Sequence, residues 1–225
     1  ASPVASPTRV EATTAIIVSA TNDPLRVTGS DGVDHVEYDL LVTNGFSAPI
    51  TLTSIKALAP DGETLLQLDW DALVTATQPL LGRTPMREIP ALGTAAVVMD
   101  VTIPGERELD WLSHQIAYEI APGSPVASLI GSLMIDGPEL VVDLRPATVI
   151  SPPLRGDGWL AANGCCAAES IHRAVRVPVG GVRIGKQEIF AIDGPGSRMA
   201  NLLPGMVPAP RTGTDSVLRS WPWRR

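Results

Sequence analysis

The sequence predicts a mainly β protein: an immunoglobulin-like antiparallel β-sandwich, then a partial β-hairpin fragment, then an irregular tail. Three observations predict it. Runs such as Leu112-Ser113-His114-Gln115-Ile116-Ala117-Tyr118-Glu119-Ile120 alternate apolar and polar residues; that period of two lays one face of a strand on a core. Such runs recur between turn residues over residues 9–150, giving about six or seven strands, the pattern of two packed antiparallel sheets. The pattern then fails after Phe190-Ala191-Ile192-Asp193: residues 194–225 are rich in Gly, Pro and Arg and carry neither a helical nor a strand period.

Taken in order, residues 1–8 form a polar, Pro-containing leader that reads as the start of an exported chain. Residues 9–20, 35–45 and 49–58 are the first three strands, with Asn44-Gly45 and Pro49 as a turn and Asp61-Gly62 as the next. Residues 70–81 space their apolar side chains three to four apart and predict a short helix. Residues 93–103, 112–120 and 138–150 supply further strands. Pro152-Pro153 and Gly156, Gly158 and Gly164 mark a linker. Residues 151–193 then form a linker and a second β fragment, with two strands around Gly180-Gly181 and a strand-like run over 182–192.

Composition excludes several classes. A net charge of −7 leaves no cationic surplus to neutralise phosphates, so no nucleic-acid partner is expected. No run of 18 apolar residues occurs, so no transmembrane helix is expected. At 44% hydrophobic content the body of the chain can bury a core. Cys165 and Cys166 are adjacent, and a disulfide between neighbours is strained, so free thiols or an intermolecular link are equally compatible.

Chemical motifs are sparse. Gly180-x-x-x-x-Gly185-Lys186 has the spacing of a phosphate-binding loop, but Gln187 replaces the magnesium-holding hydroxyl and strands flank it on both sides, which predicts a hairpin turn. Ser170, His172 and Asp193 lack a nucleophile-elbow signature. His35 and His114 sit in strand-like runs and read as sheet-surface or sheet-edge residues. With His172 they are the only histidines, and no HxH or HExxH spacing exists, whereas catalytic zinc takes three protein ligands and keeps a fourth position open.

Trp159-Leu160-Ala161-Ala162-Asn163-Gly164, His172-Arg173 and Phe190-Ala191-Ile192-Asp193 together resemble the entrance to lysostaphin-type (LytM-like) zinc metallopeptidases. Residues around Val42-Thr43-Asn44 and Leu112-Ser113-His114 are similar to the sandwich-like region that precedes the peptidase domain there. The resemblance implies cleavage of peptide cross-bridges in bacterial peptidoglycan, with zinc held by the His and Asp of an HxxxD motif and a later HxH. Asp193 matches the Asp; Ile189 stands where the motif has His, and no His follows residue 172. His172 also matches the resembled group, with no role implied.

The tail fits the same reading. With the codons GGG CCC GGG TCG CGG for Gly194–Arg198, one added T turns the junction into FAIDWARVA. The same shift over Asp215–Arg224 gives LGAEVLAVA, similar to an apolar strand of that family. With codons so chosen, residues 194–225 read as an out-of-frame stretch after loss of one base; the alternative is a natural Pro/Gly/Arg-rich tail that touches an anionic surface through Trp221, Trp223, Arg224 and Arg225. The expected protein is secreted or in the cell envelope, without catalytic activity or cofactor in this chain, and its partner is peptidoglycan or an envelope protein. The alternatives are an active zinc-dependent cell-wall endopeptidase, with Asp193 and His172 as metal ligands, and a module that binds an envelope ligand or protein.

Overall fold

The computed structural model describes residues 12–194 apart from 30, 105–106, 126, 147, 149–153, 155–157, 161, 165–167 and 169. Along the chain run β1 (Ile16–Ala20), β2 (Leu25–Thr28), β3 (Asp34–Asn44), β4 (Ile50–Leu58), β5 (Thr64–Asp69), α1 (Trp70–Ala76), β6 (Thr77–Pro79), β7 (Glu88–Ile89), β8 (Thr94–Ile103), β9 (Trp111–Ile120), β10 (Met134–Asp136) and β11 (Leu140–Val141). After these come α2 (Ile171–Ala174), β12 (Val177–Val179) and β13 (Arg183–Gly185).

Two antiparallel sheets stack face to face. The first has the order β1-β3-β8-β6, with β2 continuing the edge begun by β1; the second has the order β10-β9-β4-β5, with β11 continuing β10 along β9 and β7 on β4. The chain changes sheets between β3 and β4, β5 and β6, β6 and β7, β7 and β8, and β8 and β9. That is the strand order of an immunoglobulin-like sandwich. Just after β11 the chain returns to the β2 edge: Asp143 forms a parallel bridge with Leu25, and its N–H donates to Pro24 O at 2.8 Å. This covers an otherwise open sheet edge.

Strand alternation builds the core. Val36, Tyr38, Leu40 and Val42 of β3 and Ala95, Val97, Met99, Val101 and Ile103 of β8 meet Ile50, Leu52, Ile55 and Ala57 of β4 and Leu112, Ile116 and Tyr118 of β9. In β4 the alternation slips by one residue between Leu52 and Ile55, and the extra residue of a bulge between Leu52 and Ser54 keeps Ile55 and Ala57 inward.

One polar pair crosses this core. The Tyr38 hydroxyl donates to Nε2 of His114 at 2.7 Å, and Nδ1–H of His114 donates to Pro138 O at 2.7 Å. His114 is 1% exposed, which corrects its reading as a sheet-surface or sheet-edge residue: its place in the alternation of β9 sends it inward, and the two hydrogen bonds meet its polar atoms. Tyr38→Phe is expected to lower stability by about 1–3 kcal/mol, because the imidazole acceptor stays buried without a donor. A urea melt reads this directly, and an unchanged midpoint would contradict it.

Other expectations change with the structure. The helix ends at Ala76 rather than 81, since Gln78 precedes Pro79 and is pushed toward extended geometry; Thr77–Pro79 then pairs with β8 at a sheet edge, where the missing proline N–H is tolerated. Among its described residues the run 138–150 forms the two-residue β11 and a bridge at Asp143, where a turn closed on the Asp143 carboxylate and then Pro146 end the pairing; residues 147 and 149–150 lie outside the described set. The strand over 182–192 shortens to Arg183–Gly185, because residues 187–190 turn and bury Ile189. β2, β5, β7 and β10 were not predicted.

Candidate functional site

The outer face of the first sheet should be solvated, yet part of it is buried. Alternation that sends Tyr38 and Leu40 inward sends Glu37 and Asp39 the other way, and these are 2% and 0% exposed. α2, β12, β13 and the residues between them lie over them. The hairpin β12–β13 turns at Gly180-Gly181, with φ of 60° and 72° that glycine adopts without strain. The loop-like motif is thus the predicted hairpin turn, and its Lys186 faces Asp39.

Arg173 forks onto both carboxylates: Nη1 donates to Asp39 Oδ1, while Nε and Nη2 donate to Glu37 Oε2 at 3.2 and 2.9 Å. Arg176 Nε donates to Asp39 Oδ2 at 2.8 Å and its Nη1 to Gln78 Oε1 at 3.2 Å. Lys186 Nζ sits 3.1 Å from Asp39 Oδ2 and donates to the carbonyl of Arg173. Three cations thus meet two carboxylates with no water-facing side chain among them except the rim of Glu37.

The two acids respond oppositely. Burial raises the Asp39 pKa, but Arg173, Lys186 and Arg176 outweigh it and hold the carboxyl below its ordinary value. At Glu37 burial wins over the attraction of Arg173 and pushes the pKa up to about 7. Burial pulls Lys186 down to about 8 against the attraction of Asp39.

The same segment assembles His172 and Asp193. α2 is one turn long and carries His172 beside Arg173, so one residue faces out where its neighbour plugs the sheet. Ala162 and Asp193 exchange backbone hydrogen bonds at 2.9 Å, which returns the chain to α2. His172 Nε2 then lies 3.2 Å from Asp193 Oδ1, buried and without hydrogen-bond alignment. Its Nδ1 is 2.9 Å from Glu188 Oε2, and Asn163 Nδ2 donates to Asp193 Oδ2 at 2.8 Å. The Glu188 hydrogen bond raises the His172 pKa, with Asp193 adding to it; the Asn163 hydrogen bond lowers the Asp193 pKa, with His172 adding to it.

A catalytic zinc takes three protein ligands plus an open position. His172 Nε2 and Asp193 Oδ1 face each other at 3.2 Å, and Nδ1 of the same ring is held by the Glu188 carboxylate, as the far nitrogen of a metal-ligating histidine commonly is. Among the described residues no group of three or more His, Cys, Asp and Glu could hold a metal. His35 is paired with Asp100 and Asp31, and His114 is locked in the core. Two residues do not make up that set, so the pair does not by itself fit a catalytic zinc. Ser170 donates to Gly164 O at 2.7 Å, and both nitrogens of His172 face carboxylates, so no nucleophile–base pair forms. Cys165 and Cys166 lie outside the described residues.

His172 and Asp193 stand out in the sequence, whereas Glu37, Asp39, Gln78, Arg173, Arg176 and Lys186 give no sign there of forming one cluster. Alternating acids on a half-buried strand read as a solvated face, and no local signal says that a distant segment will cover it.

No protein-family model matches the chain, and no curated protein does. Among solved structures it is similar to the Salmonella enterica SafA pilin, solved in complex with the SafB chaperone, at 17% identity over 68% of each chain with a TM-score of 0.33.

Proposed function

We propose that this chain is a non-catalytic β-sandwich module of the bacterial cell envelope. In this reading it corresponds to the N-terminal part of a lysostaphin-type metallopeptidase, followed by the opening stretch of the peptidase domain. The observation that carries the reading is the meeting of His172 and Asp193 at 3.2 Å, on a segment fixed to the sandwich by a buried charge cluster. Two residues singled out by the resemblance, distant in sequence, converge as the first half of a metal site would. Among the described residues no third ligand joins the pair, which supports the non-catalytic reading, since polarising a water for attack on a peptide carbonyl needs the full set.

Incubation with purified peptidoglycan tests it. No new amino termini are expected to appear, while the protein co-sediments with the polymer. Sustained release of amino termini that is lost in Asp193→Ala would overturn the non-catalytic reading.

The second reading, an active zinc endopeptidase, is favoured by the hydrogen-bond-free, buried Nε2 of His172 and by Glu188 behind it. Its remaining ligands would come from a second chain or from residues outside the described set. In the corrected reading frame, residues 194–225 would continue the peptidase domain; the nucleotide sequence across codons 190–226 decides that point.

A further inference from the structure

We infer that Asp39 of the sandwich is a positioning residue for the His172–Asp193 pair, because one carboxylate ties together the two separate stretches that carry the pair. Its Oδ1 accepts from Arg173, the residue next to His172 on α2. Its Oδ2 faces Lys186 at 3.1 Å, at the start of the stretch that carries Glu188 and Asp193. Arg176, on the link between them, reaches the same Oδ2 at 2.8 Å. Lys186 closes the loop by donating to the backbone of Arg173.

The local contacts of the pair are weak by comparison. Glu188 and Asp193 are about half exposed, and the pair's own regular structure is one helical turn and one isolated bridge. Exposed ion pairs contribute little on their own. A fully buried carboxylate shared by three cations is different in kind: moving any one of them breaks a desolvated contact. Glu37 does not substitute, since the described contacts join it to Arg173 alone among the three. The sandwich thus sets the distance between His172 and Asp193 from behind, without touching either. The inference rests on the pair being the working part of the segment, but its test uses neither metal nor substrate.

The test is NMR on the full chain. Nuclear Overhauser contacts between the His172 ring and the Asp193 methylene, and slow exchange of the Ala162 and Asp193 amides, report the pair. Amides of β3 and β8 report the sandwich. In Lys186→Met, which leaves the sandwich unaltered, the ring contact is expected to vanish and exchange at Ala162 and Asp193 to speed up at least tenfold, with β3 and β8 unchanged. Lys186→Arg keeps the charge and is expected to keep the contact. Asp39→Asn should behave as Lys186→Met does; if it fails to fold, the lysine variants decide alone. Retention of the ring contact and of amide protection in Lys186→Met would overturn the inference, whatever the peptidoglycan assay shows. So would equal loss in Lys186→Arg and Lys186→Met, since charge would then not be the cause.

Discussion

Asp39→Asn is expected to lower the unfolding free energy by about 3–5 kcal/mol at neutral pH, the cost of removing one partner from a buried ion pair. Three cations converge on this carboxylate, and each has a side chain that is 0% exposed. Asparagine keeps the shape and removes the charge. Arg173 retains Glu37 and a main-chain oxygen, but Arg176 and Lys186 lose their only described carboxylate. A chain of this size loses about 2–4 °C in midpoint per kcal/mol, so a drop on the order of 10 °C should be visible in a thermal melt. Amide exchange should show the first opening in residues 171–186, because water is available to the cations once that segment lifts. The inward side chains Tyr38 and Leu40 keep β3 in place.

The second large effect is in pH dependence, where two buried groups oppose each other. His114 titrates near 6.5 when unfolded and is pulled down to about 4 in the fold by burial, against the hydrogen bond to Pro138. The unfolded chain therefore binds more protons between these values, and stability rises with pH across them by about 3 kcal/mol. Glu37 runs the other way. Its folded pKa of about 7 lies above the unfolded 4.5, so the folded chain binds more protons there. Stability falls by about 3 kcal/mol as pH rises from about 4.5 to 7. The two slopes nearly cancel in the wild type between pH 4.5 and 6.5. Glu37→Gln should uncover the His114 slope and become more stable as pH rises. His114→Gln should uncover the Glu37 slope and become less stable as pH rises. Denaturant melts at pH 4.5, 5.5 and 6.5 measure both; parallel curves for wild type and Glu37→Gln would contradict the burial of Glu37 beneath the segment.

The sandwich was legible because its strands obey one simple rule. In β3, β8 and β9 the core-facing residues fall on every second position, although β8 also carries Ala96 and Val98 on its other face, so sequence period maps onto the buried face. The short edge pieces were not legible. β2, β7 and β10 have only two to four residues each, and pairing with a long neighbour, rather than their own pattern, makes them strands. β5 hides its period in Leu65-Leu66, where two apolar residues adjoin. The hairpin at Gly180-Gly181 was legible from its glycines.

At the site, His172 and Asp193 could be named from a resemblance, but their contact could not be read from sequence. It depends on Ala162 pairing with Asp193 and on the lock between segment and sheet. His114 shows the opposite failure. A polar residue at an inward position looks like a break in the pattern, and only the partners Tyr38 and Pro138 explain why the core accepts it.

The most direct test of the account is the zinc content of the purified chain after dialysis against a weak chelator, measured by plasma mass spectrometry. With no third His, Cys, Asp or Glu beside His172 and Asp193 among the described residues, much less than one zinc per chain is expected, and a content unchanged by Asp193→Ala. One tightly held zinc per chain, lost in that variant, would contradict the account.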